Sequence, residues 1–259
     1  TVWGSSSYGG TDAPTDSGYT KIYSTRSAFA VLKADGSITA WGGSNFGGAS
    51  APTDSGYTDI YSTSSAFAAF KADGSITAWG NSDNGGTSAP MGKGFTKIYS
   101  TFNAFAALKA DGSITVWGSG YYGGADAPTD NGYTKIYSTS SAFAALKSDG
   151  SITAWGDSNY GGAGAPTDNG YTKIYSTGFS FAALKADGSI TVWGYSGYGG
   201  ANAPTDNGYT KIYPATYAFA ALKADGSITA WGDSNSGGIG APTDKGYTKI
   251  YSTRDAFAA

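Results

Sequence analysis

A repeat of 38 residues runs through the whole chain and constrains its fold more than any other feature. Tryptophan occurs seven times with that spacing and without exception, at positions 3, 41, 79, 117, 155, 193 and 231. Seven prolines and seven Gly-Gly pairs, from Gly9-Gly10 to Gly237-Gly238, keep the same step. Internal periods of this length are typical of propellers and solenoids.

Residues 19–42 are the strand-forming part of one 38-residue repeat, and their pattern predicts three short β-strands. We expect the first strand at Thr20 to Ser24. Asp35-Gly36 lies between two β-forming stretches and predicts a two-residue type I′ hairpin turn, in which both central residues have positive φ. This turn would place Phe29 opposite Gly42. Each repeat is thus expected to form a three-stranded meander, or a four-stranded one if a further segment pairs at its edge.

The composition supports strands joined by tight turns. The 259 residues include 41 Gly and 20 Tyr, with no Cys and no His, and every acidic residue is Asp. Asp favours turns, Glu favours helices and Tyr favours strands, so this bias is typical of an all-β protein. Without Cys, neither disulfide bonds nor thiolate metal sites can form.

Closure of the repeats decides between the two architectures. A solenoid needs polar caps, and neither end of the sequence resembles one, whereas a propeller arranges its repeats radially. We therefore predict an all-β, seven-bladed β-propeller of short three- to four-stranded blades. We expect it to form a single domain that spans residues 1–259.

One segment also resembles a known repeat family. The stretch A-F-A-A-L-K-S-D-G-S-I-T-A-W-G, Ala142 to Gly156, is similar to the L-K-x-D-G-x-V-x-x-W-G core of the regulator of chromosome condensation repeats. It also resembles short bacterial variants, which include the propeller-type β-lactamase inhibitor protein and repeat modules of bacterial surface proteins. The resemblance implies a seven-bladed propeller, and members serve as exchange factors, inhibitors and surface modules. Many family repeats carry His before the second strand, where this sequence has Ala28 and its copies, or Ser180.

The two ends of the sequence resemble parts of one blade. Thr1 to Gly4 matches the end of a third strand, and Ala256 to Ala259 matches the start of a second strand. We expect these segments to pair antiparallel and to close the fold, with Ala258 opposite Trp3. The Thr start also suggests a mature, excised or trimmed chain.

Variation among the repeats is concentrated at two places. These are the two residues before each Ala-Phe-Ala and the four residues after each Trp-Gly. In a three-stranded meander both places lie at the same end of the sheet, since the first and third strands run in the same direction. We call this the variable end, and the opposite end, which carries the near-constant Asp-Gly turns, the constant end. Loop tips tolerate change, so the variation alone does not indicate a function.

Bulky aromatic and basic residues replace small polar ones at the variable end in several repeats. Tyr and Arg are the residues that most often anchor interfaces, so we expect a protein or glycan partner to bind there. The candidate partner-binding residues are Phe102, Tyr121, Tyr122, Phe179, Tyr195, Tyr198, Tyr217, Arg26 and Arg254. The sequence thus favours a non-enzymatic binding or adhesion module.

Two alternatives remain open. A lectin-like protein would repeat one sugar site per blade, and the candidates are Asp16, Tyr19, Lys21 and their copies. Lys21 is replaced by Asp59 in the second repeat, and Met91-Gly92 replaces Thr-Asp in the third, which argues against equivalent sites. The regular repeat also fits an engineered, consensus-like scaffold without a ligand.

Enzymatic and cofactor functions have little support. General acid–base catalysis commonly uses His, which is absent, and the Asp residues are dispersed by the repeat. We expect no catalytic residues, no cofactor and no resident metal, although Asp157-Ser158-Asn159 and Asp233-Ser234-Asn235 are oxygen-rich enough for weak surface calcium. Lys33 and its copies are expected to be solvated.

The net charge and the hydropathy pattern limit the classes of partner and the cellular locations that we expect. A net charge of −3 argues against nucleic acid, which requires a basic patch. No apolar run approaches the roughly 18 residues of a membrane helix, so we expect no membrane insertion. We expect a monomer at an extracellular or bacterial cell-surface location.

Overall fold

Seven antiparallel sheets make up the fold in a computed structural model that describes all 259 residues. Six sheets have three strands in chain order, the seventh has two, and no α-helix is present. The three-stranded sheets are β1–β3 (Tyr19–Ser24, Ala28–Lys33, Ile38–Gly42), β4–β6 (Tyr57–Ser62, Ala66–Lys71, Ile76–Gly80), β7–β9 (Phe95–Ser100, Ala104–Lys109, Ile114–Gly118), β10–β12 (Tyr133–Ser138, Ala142–Lys147, Ile152–Gly156), β13–β15 (Tyr171–Ser176, Ser180–Lys185, Ile190–Gly194) and β16–β18 (Tyr209–Pro214, Ala218–Lys223, Ile228–Gly232). The last sheet holds β19 (Tyr251–Ser252) and β20 (Phe257–Ala258). The predicted all-β fold of seven short blades is confirmed.

The chain divides into two compact units. The first, Thr1–Asn131, contains blades one to three, and the second, Gly132–Ala259, contains blades four to seven. The single domain expected over residues 1–259 stays a prediction.

The predicted register of the hairpins is wrong by one residue. Phe29 lies opposite Trp41, and Ala28 lies opposite Gly42. The cause is a three-residue loop in place of the expected two-residue turn: the Lys33 N–H donates to the Ser37 carbonyl at 3.0 Å. Gly36 alone has positive φ, at 78°, which is the pattern of a type I turn followed by a left-handed glycine.

Each complete blade is filled by one aromatic pair that the corrected register brings together. The rings of Phe67 and Trp79 stack at 5.1 Å, and both side chains are buried. The Trp79 indole N–H donates to the Gly47 carbonyl at 2.9 Å. Gly47 has a φ of +91°, and a Cβ there would lie 2.6 Å from the Phe67 ring. Any other residue at this position would have a strained backbone and would collide with Phe67.

The small residues of the second strands allow neighbouring blades within a unit to pack closely. Ala66, Ala68 and their copies in the other three-stranded blades are buried, and in the cluster of the second and third blades they contact Ile and Phe side chains of the next blade. One such cluster joins Ala66 and Ala68 to Ile98, Phe105 and other residues.

The strand expected at Thr1–Gly4, paired with Ala256–Ala259, is not formed. Thr1–Gly4 belongs to no sheet, and the Trp3 side chain is 85% exposed. β20 pairs only with β19. The other third strands follow a second strand through a three-residue turn, whereas Thr1–Gly4 has no such short connection and a larger loop-closure entropy to overcome.

Candidate functional site

The variable end is formed as predicted, because the start of each second strand meets the end of each third strand. In the first blade the Gly43 N–H donates to the Ser27 carbonyl at 2.7 Å, and Thr25 N–H donates to Ala28 at 3.0 Å. Residues 26–27 and 43–46 therefore lie together at one end of the sheet. The same bonds recur along the chain, for example from Asn81 to Ser65 at 2.9 Å.

Short 3₁₀ turns shape the four residues after each Trp-Gly, and the sequence analysis missed them. Their ranges are Ser6–Tyr8, Ser44–Phe46, Ser82–Asn84, Gly120–Tyr122, Ser158–Tyr160, Ser196–Tyr198 and Ser234–Ser236. Each turn ends at a left-handed glycine, which is the first member of a Gly-Gly pair. A Cβ on the second glycine, Gly48, would lie 2.4 Å from the Gly42 carbonyl oxygen, so only glycine fits. The Gly-Gly pairs were therefore the available signal for these turns.

Single hydrogen bonds join the turns between first and second strands in neighbouring blades of the second unit. The Ser140 N–H donates to the Gly178 carbonyl at 3.0 Å, and the Gly178 N–H donates to Thr216 at 3.3 Å. Thr216 N–H in turn donates to Arg254 at 3.0 Å. This ladder holds the variable residues of successive blades side by side.

Five aromatic rings form one contiguous cluster on the second unit. We call Tyr160, Phe179, Tyr195, Tyr198 and Tyr217 the aromatic cluster. Its ring centroids lie 4.8 to 5.3 Å apart, with Phe179 packed against Tyr160, Tyr198 and Tyr217. Tyr195 is 46% exposed and the other four side chains are half-buried. The structure thus brings four predicted site residues together and adds Tyr160, which the sequence analysis did not single out.

Arg254 continues this cluster at the edge formed by Tyr217. Its guanidinium donates to the Tyr217 hydroxyl at 3.0 Å, and the guanidinium carbon lies 5.7 Å from the Tyr217 ring centre. This hydrogen bond raises the pKa of Arg254. The neighbouring Asp255 carboxylate lies 3.8 Å from the Arg254 Nε.

Asp157 lies at the other edge, directly before the turn that carries Tyr160. The residue is only 5% exposed. Its Oδ1 accepts the Asn159 N–H at 2.9 Å, as an N-cap of the 3₁₀ turn. Its Oδ2 is buried and has no hydrogen-bond partner.

The remaining predicted residues lie on the first unit. Tyr121 and Tyr122 contact each other edge to face at 5.4 Å. Phe102 and Tyr121 are 59% and 62% exposed, and the Arg26 side chain is also exposed. The Arg26 N–H donates to Ser64, and the Ser64 N–H donates to the Phe102 carbonyl at 2.7 Å. These residues share the variable end of the first unit without forming a cluster of the size seen in the second.

At the constant end, the polar residues bind one another. In the second blade the Tyr57 hydroxyl donates to Asp54 at 2.8 Å and accepts from the Thr77 hydroxyl at 2.9 Å. The Lys71 ammonium pairs with Asp54 and lies 4.6 Å from the Tyr57 ring centre. This hydrogen bond from Lys71 holds the pKa of Asp54 below its usual 3.8, and burial raises the pKa of Tyr57.

The lysine copies expected to be solvated are thus engaged. Lys33, Lys185 and Lys223 pair with Asp16, Asp168 and Asp206 in the same way. The expectation was wrong because it considered each strand alone, whereas the segment before the first strand folds back onto the end of the second.

The residues of the lectin alternative do not assemble into one site. Asp16 and Tyr19 bind each other and Lys33. Lys21 instead donates to the Thr58 carbonyl at 3.2 Å and lies 3.3 Å from Asp59, both in the next blade. The polar groups of the candidate sugar site are therefore occupied by contacts within the protein.

Neither of the oxygen-rich turns is a multi-ligand metal cluster. The structure contains no group of three or more acidic side chains that could hold a metal ion. Asp233 uses Oδ1 to cap Asn235 at 3.0 Å and Oδ2 to accept from Ser236 at 3.2 Å. No helix of this chain has the length and apolar character needed to cross a membrane.

Comparison with known proteins shows the fold and leaves the family a prediction. No family model and no curated protein matches the sequence. The ectodomain of the receptor kinase ACR4 from Arabidopsis thaliana superposes with a TM-score of 0.50 at 20% identity, covering 90% of this chain and 87% of its own. Prp20p from Saccharomyces cerevisiae, described with its binding to Gsp1p and histones, gives a TM-score of 0.49 at 14% identity, covering 88% of this chain and 75% of its own. The computationally designed protein Ika8 gives 0.43 at 16% identity, covering 83% and 70%.

Proposed function

We propose that this chain is a protein-binding module whose partner docks on the variable end of the second unit, over the aromatic cluster. The observation that carries the proposal is the cluster itself. The position of Phe179 holds Ser or Asn in the first four repeats, so the frame does not require a ring there. The chain nevertheless gathers five rings at one place and leaves each of them partly exposed.

The composition of the cluster matches that of an interface hot spot. Tyr and Arg dominate the residues that lose most binding energy on truncation, and their rigid rings lose little side-chain entropy on binding. Here the rings already pack against one another, so a partner would meet a preorganised surface.

Proteins of similar fold are compatible with this role. The Prp20p structure is described with its binding to Gsp1p and histones, and a further Prp20 structure is described bound to Kap60. We propose protein recognition for this chain on the basis of its own aromatic cluster. Regular repeat proteins have also been designed computationally, so a ligand-free scaffold is the competing interpretation.

Selection of binders from a displayed peptide library, with the intact chain as bait, tests the proposal. We expect recovered peptides to bind the wild-type chain and to lose at least about 30-fold in affinity for a triple variant, Phe179→Ser, Tyr195→Ser and Tyr217→Ser. Serine occurs at equivalent positions in other repeats, so the folded state should tolerate the changes. Circular dichroism of the triple variant verifies this.

The control removes an exposed apolar side chain from the constant end. Met91 is 96% exposed, so Met91→Ser should leave the affinity unchanged. Selected peptides that bind the triple variant as tightly as the wild-type chain would overturn the proposal. A failure to select any binder would also overturn it, and this is the outcome expected of a ligand-free scaffold.

A further inference from the structure

The two edges of the aromatic cluster differ in charge. At the Tyr217 edge a ring, the guanidinium of Arg254 and the carboxylate of Asp255 lie together. At the Tyr160 edge a ring and the carboxylate of Asp157 occur without a cation. No lysine or arginine pairs with Asp157, and its Oδ2 has no hydrogen-bond partner.

In the next two blades, the side chains at the positions equivalent to Asp157 and Tyr160 contact each other. Tyr195 occupies the position of Asp157 in the fifth repeat, and its ring lies 4.8 Å from Tyr198, the equivalent of Tyr160. In the sixth repeat Asp233 Oδ2 accepts a hydrogen bond from Ser236 at 3.2 Å. Asp157 and Tyr160 hold the same two positions before and at the end of their own turn.

The residue directly before Phe179 is Gly178, which has no side chain. The position of Gly178 holds Arg, Ser, Phe or Thr in the other repeats. A Cβ at Gly178 would lie 3.3 Å from the Ser140 hydroxyl and 3.8 Å from the Thr216 carbonyl oxygen. A side chain at this position would therefore crowd the Ser140 hydroxyl, so the turn before Phe179 packs closely against the neighbouring blade.

We infer that the Tyr160 edge of the aromatic cluster binds a cationic side chain, arginine or lysine, that the protein partner supplies. This inference rests on the proposed function. The cation would lie against the ring of Tyr160, as Arg254 lies against the ring of Tyr217. Asp157 would act as its counter-charge from below the surface, where burial weakens screening by salt.

The charge balance of this surface favours a cation over an anion. The variable end of the second unit carries the carboxylates Asp157, Asp233 and Asp255, and only one cation, Arg254, which already lies beside Asp255. An anionic partner group would meet two uncompensated carboxylates. A cationic one would complete at Tyr160 the arrangement that the chain itself completes at Tyr217.

Three labelled eight-residue peptides test the inference by fluorescence anisotropy with the intact chain. They alternate glycine with arginine, with citrulline as a neutral group of the same shape, or with glutamate. We expect the arginine peptide to bind about tenfold more tightly than the citrulline peptide, and the glutamate peptide to bind weakest.

The decisive variant is Asp157→Asn, which removes the charge and keeps the cap, since Asn81 caps the equivalent turn in the second repeat. We expect it to weaken binding of the arginine peptide about tenfold and to leave the citrulline peptide unchanged. Asp149→Asn, at the constant end of the same blade, is the matched control and should change neither. Equal binding of the three peptides, or an unchanged affinity in Asp157→Asn, would overturn the inference.

The library selection separates this inference from the proposed function. Selected peptides that depend on the aromatic cluster and contain a required Arg or Lys support both. Selected peptides that depend on the cluster but bind Asp157→Asn as well as wild type leave the proposed function standing and refute the cationic site.

Discussion

The constant end and the variable end of the blades use their side chains in opposite ways. At the constant end of the second blade, Asp54, Tyr57, Lys71 and Thr77 bind one another. The Asp-Gly turn there also bonds to the next blade: Gly94 N–H donates to the Asp73 carbonyl at 3.0 Å. At the variable end of the second unit the aromatic rings contact one another and stay partly exposed. The side chains that bind one another at the constant end are repeated along the chain, and the side chains at the variable end differ between repeats.

The third blade shows how strictly the constant end obeys this rule. Gly92 replaces the Asp and Phe95 replaces the Tyr of the other repeats, so both members of the hydrogen bond are lost together. Lys109 remains over the Phe95 ring at 5.0 Å. A single replacement of the carboxylate would have left the tyrosine hydroxyl without that partner, and the double replacement avoids this cost.

The largest difference between repeated and variable positions should appear in a pair of phenylalanines in the third blade. Phe105 is fully buried and stacks on Trp117 at 5.1 Å, whereas Phe102 is 59% exposed. We expect Phe105→Ala to lower the free energy of unfolding by about 3–5 kcal/mol, because it leaves a cavity in the sheet core. Phe102→Ala should change it by less than about 0.5 kcal/mol. Urea denaturation measures both, and equal effects would contradict the distinction.

A smaller effect is expected from removing the Tyr57 hydroxyl at the constant end. Tyr57→Phe removes the hydroxyl that is hydrogen-bonded to Asp54 and Thr77, and it keeps the ring under Lys71. We expect a loss of about 1 kcal/mol in the free energy of unfolding, the usual net value of a partly buried hydrogen bond.

The third blade provides the matched background for that measurement. Phe95→Tyr adds the hydroxyl where Gly92 offers no carboxylate. Urea denaturation should show a gain smaller than the loss in Tyr57→Phe. A gain of equal size would mean that Asp54 contributes nothing to the hydrogen-bonded group.

Local and periodic features made much of the fold predictable from the sequence. The 38-residue step, the β-forming stretches and the Asp-Gly turns define seven blades and show which loops share an end. The register was missed by one residue because Asp-Gly suits both a two-residue and a three-residue loop. The choice depends on the next blade, since a Cβ at Gly36 would lie 2.4 Å from the Tyr57 backbone nitrogen.

The candidate site was predictable in its residue types and less so in its membership. Variation between repeats identified Phe179, Tyr195, Tyr198 and Tyr217, which the structure places in mutual contact. Tyr160 escaped notice because an aromatic residue ends most of the variable stretches. Its role depends on the large side chain at Phe179 in the following blade, which is a relation between repeats rather than a property of one repeat.

The smallest predicted effect concerns pH and the exposed ion pairs of the constant end. Lysine hydrogen bonds lower the folded-state pKa of Asp54, Asp168 and Asp206 from the usual 3.8. A lowered folded-state pKa contributes stability that is fully present above the unfolded-state value and is lost as pH falls below it. The melting temperature should therefore decline between about pH 4 and pH 2. Each pair is solvent-exposed, so its contribution is small.

A triple variant isolates that contribution from the other carboxylates. With Asp54→Asn, Asp168→Asn and Asp206→Asn, we expect a lower melting temperature at pH 5 and a shallower decline toward pH 2, measured by circular dichroism. Asp73 and Asp225, whose pKa values are lowered by Lys93 and Lys245, will keep part of the decline. Lys109→Met in the third blade is the control, since its repeat has Gly92 in place of the aspartate, and it should leave the pH profile unchanged. Identical profiles for the triple variant and the wild type would show that the repeated ion pairs fix geometry at the constant end without adding stability.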